Sequence, residues 1–157
     1  MSKIRYEIDL TRRSLGPTES DERVRAVTAD DASQLAALML DAYMDTIDYE
    51  GEGLDDAIAE VESYLEDQSP LLAASRVVVE DGRLVSGVLL SETDDGPLIN
   101  YVMTRASHKG RGMGLVVTRH ALAALTEEGH SKVVFYITDG NEPSERLFRS
   151  LGALAVG

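Results

Sequence analysis

Residues 101–115 read YVMTRASHKGRGMGL, in which a short apolar strand-forming run passes into Lys109-Gly110-Arg111-Gly112-Met113-Gly114 and then into a helix-forming stretch. Glycine at three alternate positions removes the side chains from a loop that opens a helix. Such a loop can turn successive main-chain N–H groups inward, and with the positive end of the helix dipole they form a concave seat for phosphate oxygens. The spacing narrows the ligand. A dinucleotide fingerprint needs a third glycine where Leu115 stands, and a Walker loop needs Gly-Lys-Ser/Thr, which does not occur here.

Lys109, Gly112 and Gly114 do fit the pattern Arg or Gln, two residues, Gly, one residue, Gly or Ala, with lysine in the first place. Further on, Asn141-Glu-Pro-Ser-Glu-Arg-Leu-Phe-Arg-Ser-Leu-Gly152 follows Asn-x-x-Ala-x-x-Leu-Tyr-x-x-Leu-Gly-Phe. In this order, with room for one helix and one strand between them, the two blocks resemble the pyrophosphate loop and the later motif of the GNAT superfamily of acyl-CoA-dependent N-acyltransferases. The clear resemblance covers about residues 98–153, and residues 24–43 echo the family's opening strand and helix.

Bulk properties bound the rest. A length of 157 residues suits one domain, residues 1–157, with a single core. No apolar run approaches the ~20 residues that span a bilayer, and the charged N-terminus lacks a signal-peptide core, so a soluble, cytoplasmic protein with no membrane partner is expected. Cysteine is absent, which removes disulfides, thiolate metal sites and a cysteine nucleophile, and three scattered histidines give no metal spacing. A formal charge of −13 argues against nucleic acid and favours neutral or cationic partners.

Along the chain, Ile4, Tyr6, Ile8 and Leu10 alternate with charged residues as in a half-buried strand, followed by an exposed connection over residues 11–22. Residues 23–27 form a second short strand. Thr28-x-x-Asp31 then resembles a capping box ahead of a helix marked by Leu35, Leu38, Met39, Ala42 and Tyr43. Leu54, Ile58, Val61 and Leu65 form one apolar stripe on a second helix, whose opposite face is acidic and which Ser69-Pro70 ends. Residues 77–79 and 84–90 are strands joined through Asp81-Gly82, and the turn at 94–97 leads into a strand over 98–104, giving a three-stranded antiparallel meander. A helix from the glycine loop to Gly129, a strand over 132–137 and a helix from about Pro143 to Leu151 complete the pattern. The chain stops soon after Gly152. Either a short strand at 153–156 or the extra N-terminal strand, in the same or a neighbouring subunit, is expected to cover the sheet edge left there.

The resemblance implies an α+β fold: a mostly antiparallel twisted sheet with splayed middle strands and about four flanking helices, here with an extra N-terminal strand. It implies that strands 98–104 and 132–137 diverge and that the pantetheine arm of acetyl-CoA, the expected co-substrate, lies between them. The main chain of Val102, Met103 and Thr104 would then hold the arm. The amides of Gly110, Arg111, Gly112, Met113, Gly114 and Leu115 would grip the pyrophosphate, with Lys109 or Arg111 adding charge. Asn141 would contact the arm or fix a local turn, and Ser144 would approach the cofactor or face water. A homodimer follows by analogy.

Acyl transfer to an amine needs an uncharged nucleophile, a polarised thioester carbonyl and a proton for the departing thiolate. The family often takes that proton from the tyrosine whose position is filled here by Phe148, which has none to give. Tyr136, Tyr101 or water are the alternatives, and Glu50, Glu92 and Asp94 are candidate bases. Residues 41–67 hold eleven acidic residues and no lysine or arginine, so a field of one sign flanks the expected acceptor pocket, where it would concentrate cationic amines. Asp45, Asp48, Tyr49 and Glu50, in the loop between the two helices, are the candidate acceptor-binding residues, while most of the acids on the helices are expected to be solvated. Three functions are in play: an acetyl-CoA-dependent N-acetyltransferase acting on a small-molecule or peptide amine, a catalytically weak acyl-CoA sensor on the same fold, and an acidic docking surface for a basic protein.

Overall fold

The alternating N-terminal run does form a strand, β1 (Lys3–Asp9), but its place is inside the sheet. The computed structural model describes residues 2–11, 20–44, 46 and 49–156. After β1 come β2 (Val24–Ala26), α1 (Ala32–Tyr43), α2 (Leu54–Asp67), β3 (Arg76–Glu80), β4 (Arg83–Thr93), β5 (Gly96–Thr104), α3 (Met113–Glu127), β6 (Lys132–Thr138), α4 (Glu142–Ser150) and β7 (Leu154–Ala155). They build a seven-stranded sheet in the order β2-β3-β4-β5-β6-β1-β7. Every neighbouring pair is antiparallel except β5 with β6. The two alternatives for the sheet edge occur together: β7 forms, and β1 lies between it and β6, paired with β6 from Lys3↔Thr138 to Asp9↔Lys132. Most of the expected exposed connection, residues 12–19, lies outside the described residues.

Local chemistry explains the turns. Asp81 and Gly82 both take positive φ, 53° and 72°, the pairing that a tight hairpin following the strand twist requires. The box at Thr28 closes as expected, with the Thr28 N–H donating to the Asp31 carboxylate at 2.9 Å, although a 3₁₀ turn over Ala29–Asp31 precedes α1.

Helices cover both faces of the sheet. On one face α3 and α4 bury Val117, Leu125 and Phe148 against Ile8, Val88 and Phe135; on the other, α1 and α2 bury Leu35, Leu38 and Val61 against Val77, Leu84 and Leu89. Each such apolar side chain contributes roughly 1.5–3 kcal/mol through burial. The stripe expected on α2 is rotated. Leu54 and Ile58 are 49% and 37% exposed, whereas Ala57, Val61 and Tyr64 face the core. Tyr64 wins the inward position because its hydroxyl finds buried partners, the Leu90 carbonyl and Ser75 Oγ, so a large ring is buried without stranding its polar end.

One irregularity shapes the molecule. The β4–β5 register shifts between Leu89 and Leu90, and β5 pairs with β6 only at Leu98↔Val134 and Ile99↔Phe135. Beyond those two pairs the strands part, as expected for splayed middle strands.

Candidate active site

Alternation decides what the gap offers. The Met103 carbonyl accepts from Ser86 Oγ at 2.8 Å and the Arg105 N–H donates to the Val85 carbonyl at 2.8 Å, so the odd-numbered residues here turn their main chain toward β4. Val102 and Thr104 therefore turn theirs toward the gap. Met103, grouped with them from sequence, does not. Its main chain serves β4, and its side chain is 1% exposed in the core beneath α1 and α2. Among the described residues, the Tyr43 hydroxyl donates to the Val102 carbonyl across 3.5 Å.

The glycine loop follows β5. A 3₁₀ turn over Ala106–His108 leads to Gly110 and Gly112, whose φ angles are +82° and +76°, and α3 starts at Met113. A Cβ at Gly112 would meet nothing within 4 Å, so the backbone's left-handed turn, and not crowding, is what demands glycine there. At Gly114 a Cβ would come to 3.8 Å of Thr104 Oγ1 and 3.9 Å of Val102 Cγ1, which sets the first turn of α3 directly against the open strand edge. Among the described residues, no N–H from Gly110 to Leu115 donates to a protein acceptor. Six consecutive unused donors at a helix N-terminus suit a diphosphate, and the adjoining open strand edge suits an extended, amide-bearing arm.

Lys109 departs from expectation. Its ammonium donates to the Ala42 carbonyl at 2.8 Å, at the C-terminal end of α1 where free carbonyls and the helix dipole favour a cation. Arg111 is exposed in the loop. A second tie runs from the Ala106 N–H to Asp41 Oδ2 at 2.8 Å, so the last turn of α1 holds both ends of the short segment before Gly110. From the other side His108 Nε2 lies 3.2 Å from Glu80 Oε1, and Arg23 bonds the same carboxylate at 2.7 Å, holding its pKa below the ordinary value.

Between the diverging strands lies a cavity of about 780 Å³. Val102, Tyr136 and Thr138 line it from the sheet, and Asn141, Ser144 and Phe148 from α4. Asn141 makes the local turn, since its Oδ1 accepts from the Ser144 N–H at 3.3 Å and so caps α4. Phe148 is 4% exposed and stacks on Phe135 at 3.8 Å, which in turn stacks on Tyr6 of β1 at 5.4 Å. Tyr136 stands half exposed on the wall.

The opposite wall is acidic. Glu50 and Glu52 from the loop, and Asp56 and Glu60 from α2, all line the cavity, and among the described residues Lys3 of β1 is the one cationic side chain in its lining. Tyr49 also lines it, its hydroxyl donating to the Glu52 carbonyl at 3.2 Å. Tyr101 donates its hydroxyl proton to Glu60, and burial, followed by that carboxylate, raises the phenol's pKa well above its ordinary value. Asp45 and Asp48 lie outside the described residues. Glu92 and Asp94 sit exposed near the β4–β5 turn, beyond the bonded end of β5 and β6, and do not line the cavity. The gap opens toward the carboxyl ends of the strands, the other way.

Sequence reasoning missed Tyr43, Glu52, Asp56, Glu60 and Lys3 as lining residues. For Asp56 and Glu60 a signal existed, because residues four apart share a helix face. For Lys3 and Tyr43 none did: their position depends on β1 entering the sheet and on α1 crossing β5. Among the described residues no group of three or more His, Asp or Glu is placed to hold a metal ion, and no helix is long and apolar enough to cross a membrane.

Comparison with known proteins follows the same lines. No curated protein matches the sequence. Among solved structures, a GCN5-related N-acetyltransferase from Sphaerobacter thermophilus is similar with a TM-score of 0.73 at 19% identity, over 98% of this chain and 48% of that one. An acetyltransferase of the GNAT family from Colwellia psychrerythraea gives 0.72 at 9% identity, over 98% and 52%. The PaiA N-acetyltransferase from Thermoplasma acidophilum, in complex with coenzyme A, gives 0.65 at 12%, over 80% and 85%. The chain thus spans about half the length of the first two, and at these identities the likeness is one of fold. Residues 79–155, from the end of β3 through β7, match the family model described as FR47-like protein. That match covers just under half of the chain, and the fold around it is the one these acetyltransferases share.

Proposed function

We propose that this protein is an N-acetyltransferase that moves an acetyl group from acetyl-CoA to a primary amine, and that the amine is cationic. The observation that carries the reading is the junction of unused amides from Gly110 to Leu115 with the open edge at Val102 and Thr104, an edge whose Val102 lines the cavity. Acetyl-CoA, as co-substrate, would supply the activated acyl group. Its diphosphate would lie on the loop amides, with Arg111 adding charge, and its arm would run along the β5 edge. The wall of Glu50, Glu52, Asp56 and Glu60 would draw in ammonium groups and pair with them. Glu50 and Glu60 are the carboxylates best placed to receive the nitrogen's proton, and Glu92 has no part in it.

Calorimetry with acetyl-CoA tests the binding half, and thiol release with a panel of polyamines, aminoglycosides, amino acids and peptides with free N-termini tests the transfer. Saturable binding at micromolar concentration with turnover of at least one amine is expected. Absence of binding heat would remove the reading. Phe148, which has no proton to give, favours one second reading, an acyl-CoA sensor, and binding without turnover across the whole panel would establish it in place of the enzyme.

A further inference from the structure

Residues opposed in an antiparallel pair point to one face of a sheet. Tyr6, Ile8, Phe135 and Ile137 of β1 and β6 turn toward the core beneath α3 and α4, so their neighbours Lys3, Arg5, Tyr136 and Thr138 turn to the other face. Over β4 and β5 that face is covered by α1 and α2. At the start of β1 and the end of β6 it is open, with Lys3 exposed and Tyr136 51% exposed.

The cations that β1 and β6 place on this face differ in what they bond. Arg5 reaches Glu7 at 3.3 Å and Asp95 at 3.8 Å, and Lys132 reaches Glu7 at 3.5 Å. Lys3 stands opposite Thr138, beyond the point where β5 and β6 part, and lines the cavity. Among the described residues no acid pairs with it, although the chain carries a charge of −13 and Glu50, Glu52, Asp56 and Glu60 line the same space. The cavity thus has two walls of opposite sign. Its main-chain anchor is firm, because the Lys3↔Thr138 pair ends a seven-residue ladder, and only the side-chain stem is left to adjust.

We propose that the amine acceptor carries an anionic group of its own, a carboxylate or a phosphate, and that Lys3 binds it. This rests on the functional reading above and narrows its substrate class. A lysine ammonium is a compact point charge with three donors, so it takes either anion without demanding a planar fork. The acceptor is then oriented by its own dipole: the anion lies on β1, and the ammonium lies toward the loop and α2. A plain amine makes only half of these contacts.

Two matched pairs of probes test this on protein saturated with CoA: ornithine against putrescine, which differ by a carboxylate, and O-phosphoethanolamine against ethanolamine, which differ by a phosphate. By calorimetry, wild-type protein should bind the acid-bearing member of at least one pair about tenfold more tightly or better, the scale of one hydrogen bond to a charged group. The pair that shows the preference identifies the anion. Lys3→Met keeps the stem and removes the charge, and should bring the two members within threefold of each other while leaving the CoA Kd within twofold. Equal binding within both pairs by wild-type protein, or a preference that survives Lys3→Met, would overturn the assignment and leave the acetyltransferase reading intact. Failure of all four probes to bind the CoA-loaded protein would overturn the assignment too. Protein that gives no heat with CoA itself would overturn both.

Discussion

Single residues fix the site through backbone angles and hydrogen bonds more than through their own chemistry. Gly112 holds φ +76° in open space, so a β-branched replacement is penalised by its backbone alone, by roughly 1–2 kcal/mol. Gly112→Val should therefore weaken CoA binding at least tenfold by calorimetry while lowering Tm by only a few degrees. Intact binding in a folded variant would show that the loop does not hold the diphosphate. Asp31, whose side chain is 7% exposed, pairs both oxygens with Arg25 at 2.8 Å and accepts from the Thr28 N–H. Asp31→Asn should cost roughly 1–3 kcal/mol in urea unfolding at pH 7. Arg25 holds the Asp31 carboxyl below its ordinary pKa, and Arg23 holds Asp21 down to about 2. For groups depressed on folding, the stabilisation is complete above the unfolded value near 4 and is lost as the pH falls through the folded one. The difference between wild type and Asp31→Asn should thus stay flat from about pH 5 to 8 and shrink below about 4. At this scale the glycines were legible in the sequence because φ demands leave a residue signature. The destination of Lys109 was not, since its partner Ala42 is 67 residues away and offers only a carbonyl.

Elements report their identity through periodicity and their neighbours hardly at all. The meander, the hairpin at Asp81-Gly82 and the strand, glycine loop and helix from β5 to α3 were all readable from alternation, turn residues and glycine spacing. The face of α2 was not. Stripes through Leu54 and Ile58 or through Ala57, Val61 and Tyr64 share one helical period, and only the buried acceptors of the Tyr64 hydroxyl choose between them. Tyr64→Phe should accordingly cost about 0.5–1.5 kcal/mol by removing the hydroxyl's bond to the Leu90 carbonyl, which keeps the Leu71 N–H, whereas Leu54→Glu should stay within about 0.5 kcal/mol, both read from urea unfolding. Strand β1 matters more. It covers the β6 edge over seven residue pairs, buries Ile8 and Leu10, and backs the ring stack of Tyr6, Phe135 and Phe148 that walls the cavity. Removing residues 2–11 should abolish cooperative thermal unfolding as seen by circular dichroism. A sharp transition within a few degrees of wild type would show the strand to be an accessory.

For the whole molecule, a charge of −13 is unevenly placed, and part of it faces the cavity. Attraction of this kind is screened over about 8–10 Å at physiological salt. The KM for a trivalent amine such as spermidine should then rise several-fold between 20 and 300 mM salt, with kcat nearly constant, in initial-rate assays. A KM indifferent to salt would assign the acidic wall to solubility alone. The composition made the acidity of residues 41–67 plain, but not that α2 turns Asp56 and Glu60 inward, because that orientation is set by tertiary packing. The same long reach governs β1, whose partner lies at residues 132–138. A ribosome making this chain releases the first strand more than a hundred residues ahead of β6, and at roughly 5–20 residues per second that strand waits on the order of ten seconds with no mate. Arg5, Glu7 and Asp9, spaced along it, are the charges that would discourage a neighbouring nascent chain from pairing there first.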